Sequence, residues 1–344
     1  MTVHRGDAGE RQQALPIVTL GLNESGGDGS GKSESTLTVV VAFAANLLVA
    51  IAKSWAALIT GSASLVAEAA HSWADTGNEI FLLVAERRSK RPPTPGHPLG
   101  FGREAYVWSL FAALGLFVAG SVVSIMHGIQ ELRDPEAASD FLIGYIVLGV
   151  SFLLEGVSFL QSARQARREA STLHRDLIDH VLRSSDPTMR AVFAEDAAAL
   201  TGLLLAFAGL ALHQITGSPT PDAVGSILVG VLLGVVALVL INRNRVFLIG
   251  QEVSPQARNA TLMALLALPE VDHVTALRLE FVGPRQVYVV ADVDLTGDDS
   301  EQHLAVRLRA LEAEIRRSPA VVDCTLSLSA PDEPALVPSP ESAG

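Results

Sequence analysis

The chain has 344 residues, of which 49% are hydrophobic and only 18% charged, and its mean hydropathy is +0.35. Soluble domains carry about 25% charged residues, so this composition points into a bilayer. The formal net charge of −12 excludes nucleic acid, which needs a basic surface, and the single cysteine, Cys324, excludes a disulfide framework and a thiolate metal site.

Residues 1–35 are polar and rich in Gly and Ser, and read as a disordered tail. They lack the charged, apolar and small-residue regions of a signal peptide, so the chain is expected to insert by its own spans. A bacterial inner (plasma) membrane is the expected site. Gly26-Gly-Asp-Gly-Ser-Gly31-Lys32-Ser33 matches a P-loop in letters. No strand and no soluble α/β domain flank it, so it reads as flexible tail.

A bilayer core takes about 20 apolar residues as a helix. Six stretches qualify as spans: 37–59, 62–86, 105–130, 141–162, 191–213 and 222–241. Arg87, Arg88, Lys90, Arg91 and Arg103 lie between spans two and three. Arg164, Arg167, Arg168, Arg175, Arg183 and Arg190 lie between four and five, and Arg243 and Arg245 follow span six. The other loops hold only Arg133, so the positive-inside rule puts both termini in the cytoplasm. Lys53, near the outer end of span one, is expected to snorkel to the interface, with pairing to a functional charge as the secondary reading. Ser226, Gly230 and Gly234 form a small-residue stripe read as helix packing.

From about residue 250 the composition turns soluble. Ser254–Leu268 and Glu301–Arg317 carry helical patterns, and His273–Val282, Gln286–Leu295 and Ala320–Leu328 read as strands. The order αββαβ predicts a small two-layer, ferredoxin-like α+β domain over 250–330. The Pro-rich segment 331–344 is expected to be unstructured. The fold class is thus a six-helix transmembrane bundle over 36–249 plus a small cytoplasmic α+β domain.

Ionisable groups at membrane depth are costly and mark function. Glu68, His71, Asp75, Asn78 and Glu79 recur at spacings of three and four, which makes one polar stripe along span two. His71 and Asp75, at i and i+4, can share one ion, and an imidazole nitrogen with carboxylate oxygens suits Zn2+. Span five offers Glu195 and Asp196; adjacent helical residues diverge by about 100°, and Asp196 is favoured over Glu195 as the one facing that pair. Glu155 in span four completes the site, carries a coupled proton or pairs within the bundle. Glu68 and Asn78 are further candidate ligands or proton carriers.

Leu65-Val-Ala-Glu-Ala-Ala-His71-Ser-Trp-Ala-Asp75-Thr-Gly-Asn78 and His97-Pro-Leu-Gly-Phe-Gly102-Arg103-Glu104 resemble motifs of the cation diffusion facilitator (cation efflux) family. The branch that includes the animal mitochondrial zinc transporter is the most similar in pattern. The resemblance spans about 36–330. It implies six spans, cytoplasmic termini, a C-terminal domain that mediates homodimers, and a metal site from two residues each of spans two and five. His71 and Asp75 match the first pair. Span five departs from the family pattern: Phe193-Ala-Glu195-Asp196 stands there, with Ala199 and Leu200 four residues on.

The expected function is export of a divalent cation, foremost Zn2+ as transported substrate, in exchange for protons. Fe2+, Mn2+, Co2+ or Cd2+ is the alternative cargo, and a proton-coupled transporter of a non-metal substrate is the alternative class. No nucleophile or water-activating constellation is evident, so the chain does not read as an enzyme, and no cofactor is expected. Beyond the ion, protons and lipid, the expected partner is a second copy of the chain. His97 reads as a turn element or as a loop ligand. Asp272, His273 and His303 are the regulatory-metal candidates of a C-terminal domain expected to dimerise without metal.

Overall fold

The computed structural model describes residues 36–135, 140–172, 176–330 and 332–339. The tail 1–35 and its P-loop lookalike therefore lie outside the described residues. The chain divides into a helical unit that ends at Gln251 and also takes in residues 282–284, and a second unit formed by the other residues from Glu252 onward.

In the helical unit, α1 (Thr36–Thr60) and α2 (Ala63–Ser89) form a tight hairpin. Gly61 takes a φ of 64°, which a side chain would strain, and Ser62 caps α2 by accepting from the Leu65 N–H. Helix α3 (Glu104–Gly115) runs through a π-turn at Leu116–Val122 into α4 (Val123–Arg133). Helix α5 (Phe141–Thr172) overruns its expected span by ten residues, and a short α6 (Leu177–Arg183) follows. Helices α7 (Pro187–Thr216) and α8 (Thr220–Ile249) complete the unit. Asp186 caps α7 by accepting from the Thr188 and Met189 N–H groups, with Pro187 behind it, where a missing N–H costs nothing.

Five of these stretches are long and apolar enough to cross a membrane: Phe43–Thr60, Glu104–Arg133, Phe141–Ser171, Pro187–Thr216 and Thr220–Ile249. Their outward faces expose Leu58, Leu142, Leu153, Leu204, Ile215 and Leu238, as lipid contact requires. Helix α2, 27 residues long, is not among them, because its polar stripe lowers its hydropathy. It lies at the centre and packs against α1, α3, α4, α7 and α8.

Its N-terminal end is pinned by Asp222 at the start of α8. The buried Asp222 carboxylate accepts from Ala63 N at 2.7 Å and Ser64 N at 3.3 Å, so it serves two helix N-termini at once. On the same α8, Ser226 donates to the Ser124 carbonyl, and Gly230 sits where a Cβ would meet Ser121 O at 2.9 Å. The small-residue stripe thus packs against α4 and the π-turn.

The second unit has the order α9 (Pro255–Leu266), β1 (Val271–Gly283), β2 (Gln286–Leu295), α10 (Glu301–Ile315) and β3 (Val321–Leu328). The sheet order is β1-β2-β3, with β2 and β3 parallel across the α10 crossover. Buried Glu312 of α10 accepts from Leu326 N at 3.0 Å and so serves the outer edge of β3.

The expectation of an unstructured 331–344 is corrected for the described residues 332–339. Leu336 N donates to Val274 O of β1 at 2.7 Å, and Asn259 brackets Ser339 with two hydrogen bonds. An edge strap needs only alternate backbone N–H groups, so its prolines do not prevent it.

Candidate cation site in the helical unit

Helical spacing puts His71 and Asp75 on one face of α2, with His71 Nδ1 3.4 Å from Asp75 Oδ1. One turn on, Asn78 donates through Nδ2 to Glu195 Oε1 of α7. Asp196 turns instead toward α5, where Ser158 and Ser162 donate to its Oδ2 at 3.1 and 3.0 Å. Asn46 of α1 donates to Glu79 Oε1 at 2.5 Å.

A cavity of about 290 Å³ lies between α1, α2, α5 and α7. Asp75, Glu79, Glu155, Glu195 and Asp196 all line it, together with Asn46, Ser72 and Ser158. Of the lining residues, Asp75 Oδ1, Ser72 Oγ and Glu79 Oε2 are buried without a hydrogen-bond partner, as are both ring nitrogens of His71 and Asn78 Oδ1 on the same helix. Buried polar atoms are rarely left so. A concentration of bare nitrogen and oxygen donors with four or more carboxylates is the donor set of a hydrated or partly dehydrated cation.

The placements refine the sequence reading. Asp75, Glu155, Glu195 and Asp196 share one cavity, with His71 beside Asp75. Of the two span-five acids, Glu195 meets the α2 stripe through Asn78, whereas Asp196, the one favoured from the sequence, accepts from two α5 hydroxyls. Glu68 does not line the cavity. Its Oε2 lies 3.0 Å from Lys53 Nζ, and both side chains are fully buried. Lys53 therefore does not snorkel; the tight α1–α2 hairpin sets it opposite a carboxylate at the same depth.

The walls also contain residues that sequence reasoning missed. Asn46 is an amide in an otherwise apolar helix, and Ser158 lies on α5, with Ser162 at i+4 joining it on Asp196 from behind the wall. A polar residue on an apolar span was the available signal in each case. The donors ring the cavity without closing on a point. Among the described residues, the three-residue group with ligand atoms within 4.8 Å is Asp272, His273 and Asp294 of the second unit. Asp294 enters that group across the β1–β2 pair, whereas His303 lies by Asp299 at 3.9 Å. His97 forms a turn with Thr94, closed by two backbone hydrogen bonds, and its ring packs on Phe101.

A multi-pass membrane protein with an acid-lined cavity among its helices defines a class: proteins that handle cations within the bilayer. The comparisons narrow it. Residues 39–249 match the cation efflux transmembrane domain. Metal tolerance protein C4 of Arabidopsis thaliana is 36% identical over 263 residues, which cover 76% of this chain and 58% of that protein. The human mitochondrial proton-coupled zinc antiporter SLC30A9 is 34% identical over 259 residues, which cover 75% of this chain and 46% of that protein. The Escherichia coli cation-efflux pump FieF is 31% identical over 124 residues, covering 36% of this chain and 40% of the pump. The chain belongs to the cation efflux, or cation diffusion facilitator, family of metal-cation transporters, and it spans about half the length of the first two relatives named.

Proposed function

We propose that the chain exports a divalent cation from the cytoplasm, foremost Zn2+, through the acid-lined cavity and in exchange for protons. The observation that carries this reading is the meeting of α2, α5 and α7 carboxylates around one cavity beside a histidine with both ring nitrogens bare. A bound cation needs neutral His and ionised carboxylates, so its arrival displaces protons. Reprotonation of the emptied site from the far side turns that displacement into exchange. Two relatives, a proton-coupled zinc antiporter and a metal tolerance protein, support the same reading.

In this reading His71, Asp75 and Glu195 hold the ion. Asp196 and Glu155 line its path, and Asn78 orients Glu195. Helix α2 is the sixth span, packed against five neighbouring helices. Both termini face the cytoplasm of a bacterial inner membrane, and the second unit pairs two copies of the chain. One imidazole among oxygens suits Zn2+, while the oxygen-rich lining also admits Mn2+ or Fe2+.

The test is uptake into proteoliposomes of Zn2+, Mn2+, Fe2+, Co2+ and Cd2+, with and without an imposed pH gradient. Zn2+ transport that responds to the gradient and vanishes in Asp75→Ala is expected. Full transport by Asp75→Ala ends the site assignment, indifference to the gradient ends proton exchange, and no ion transport by the wild type favours a non-metal substrate.

A further inference from the structure

A hydroxyl in a membrane helix ordinarily returns its hydrogen bond to the carbonyl one turn back. Ser54, Thr60, Thr76, Ser124 and Thr201 all do so here, at 2.5–2.9 Å. Ser72 does not. Its residue is 4% exposed, and among the described residues its Oγ is the one buried hydroxyl oxygen that lacks a hydrogen-bond partner. It also faces the cavity that Asp75, Glu79 and Glu195 line. The carbonyl one turn back, Glu68 O, is within the reach of its rotamers in any helix. The hydroxyl instead stays unpartnered on the wall it shares with Asp75, whose Oδ1 also lacks a hydrogen-bond partner.

We infer that Ser72 Oγ is an oxygen donor to the transported cation, and that position 72 sets the hardness of the site. This inference rests on the transport reading above. A neutral hydroxyl oxygen adds a hard donor without adding charge, so it raises the coordination number open to the ion while leaving its proton exchange to the carboxylates. A sulfur at the same position selects soft ions.

The experiment exploits the single cysteine. Cys324 is buried, and burial pushes its thiol up to about 12, so it reacts little. Cys324→Ser removes what background remains. In that full-length protein, Ser72→Cys is titrated with Cd2+ in detergent and read by sulfur-to-cadmium charge-transfer absorption. It is also read by protection of the new thiol from a small methanethiosulfonate reagent. A saturable absorption band, protection by Cd2+ and Zn2+, and a Cd2+/Mn2+ transport ratio raised roughly tenfold over the Cys324→Ser parent are expected.

Absence of the band together with alkylation that ignores both ions overturns the inference. If the Ser72→Cys protein does not fold, Ser72→Ala and Ser72→Thr decide: unchanged Zn2+ affinity and ion ratio in a folded Ser72→Ala overturn it, and weakened Zn2+ binding rescued by Ser72→Thr supports it. Failure of the parent itself to transport any divalent ion counts against the transport reading, while the absorption band still reports on position 72.

Discussion

The Lys53 ammonium lies 3.0 Å from the Glu68 carboxylate, with neither side chain exposed. The pair ties α1 to α2 one turn from His71, and α7 closes the third side, where a Cβ at Gly202 would come within 2.6 Å of Glu68 Oε1. A buried pair of this kind adds little net stability over an apolar pair of similar size, but one partner alone is a bare charge away from water. Lys53→Met alone is therefore expected to cost about 3–5 kcal/mol, and Lys53→Met with Glu68→Leu to recover most of it. Melting of the four proteins of the cycle in detergent measures the coupling. A double variant no more stable than Lys53→Met would show that the two charges do not depend on each other.

Glu195 and Asp196 are neighbours in sequence with different partners, Asn78 on α2 and the two serines on α5. If the ion sits by the α2 stripe, Glu195→Gln removes a charge that holds it, whereas Asp196→Asn changes the lining while its neighbours can still bond an amide. Glu195→Gln is expected to lower the apparent affinity for Zn2+ at least roughly tenfold, and Asp196→Asn to change it less, since only the former loses a ligand charge. Initial uptake rates against Zn2+ concentration separate the two. The opposite order would restore Asp196 as the ligand.

The difference between these acids shows what the sequence can and cannot carry. The i, i+4 spacing of His71 and Asp75 is local, because helix geometry alone puts them on one face. Which of Glu195 and Asp196 turns inward depends on the rotation of α7, and that is set by packing against α2 and α5. Lys53 failed for the same reason: snorkelling is the rule for a lone lysine near a helix end, and only the tertiary fold supplies Glu68. The αββαβ order of the second unit was legible from periodicity and from the turn at Gly283-Pro284-Arg285. The strap at 332–339 was not, because Pro-rich composition hides a strand-edge contact made through single N–H groups.

Arg190 is another residue whose sequence reading changes. It counts among the loop cations by position, yet it is 1% exposed. Its Nη1 donates to Ser184 O at 2.7 Å and its Nη2 to Asn244 Oδ1 at 2.5 Å, while Asn244 Nδ2 donates on to Ser109 Oγ. The guanidinium also lies 5.4 Å from the centre of the Phe247 ring, which stacks on Tyr106. This fork joins α3, α7 and α8 at the end of the bundle nearest the basic loops. Arg190→Ala should destabilise the protein by ~3 kcal/mol, since it strands a buried amide oxygen and a carbonyl. Arg190→Lys should rescue only part of this, because an ammonium lacks the fork. Exposed Arg245→Ala is the near-neutral control in the same melting series. Equal melting of the Arg190 and Arg245 variants would reduce the network to decoration.

Strand β1 is at the edge of its sheet, and its outer side is covered by two pieces of chain: Val253 N donates to Leu279 O at 3.1 Å, and Leu336 N to Val274 O at 2.7 Å. Glu333 and Asn259 fix the second piece, Glu333 by accepting from Thr275 Oγ1 and Ala330 N, Asn259 by bracketing Ser339. An uncovered edge offers its backbone to other chains. Ending the full chain after Ala330 removes the Leu336 contact and both clamps, leaving the start of β1 open while the Val253 contact persists. Faster amide exchange in peptides covering the start of β1 is expected, together with increased light scattering on storage. Asn259→Ala should do less, because it frees only the end of the strap. Exchange in β1 that is unaltered by truncation would mean that the sheet edge is protected without its tail.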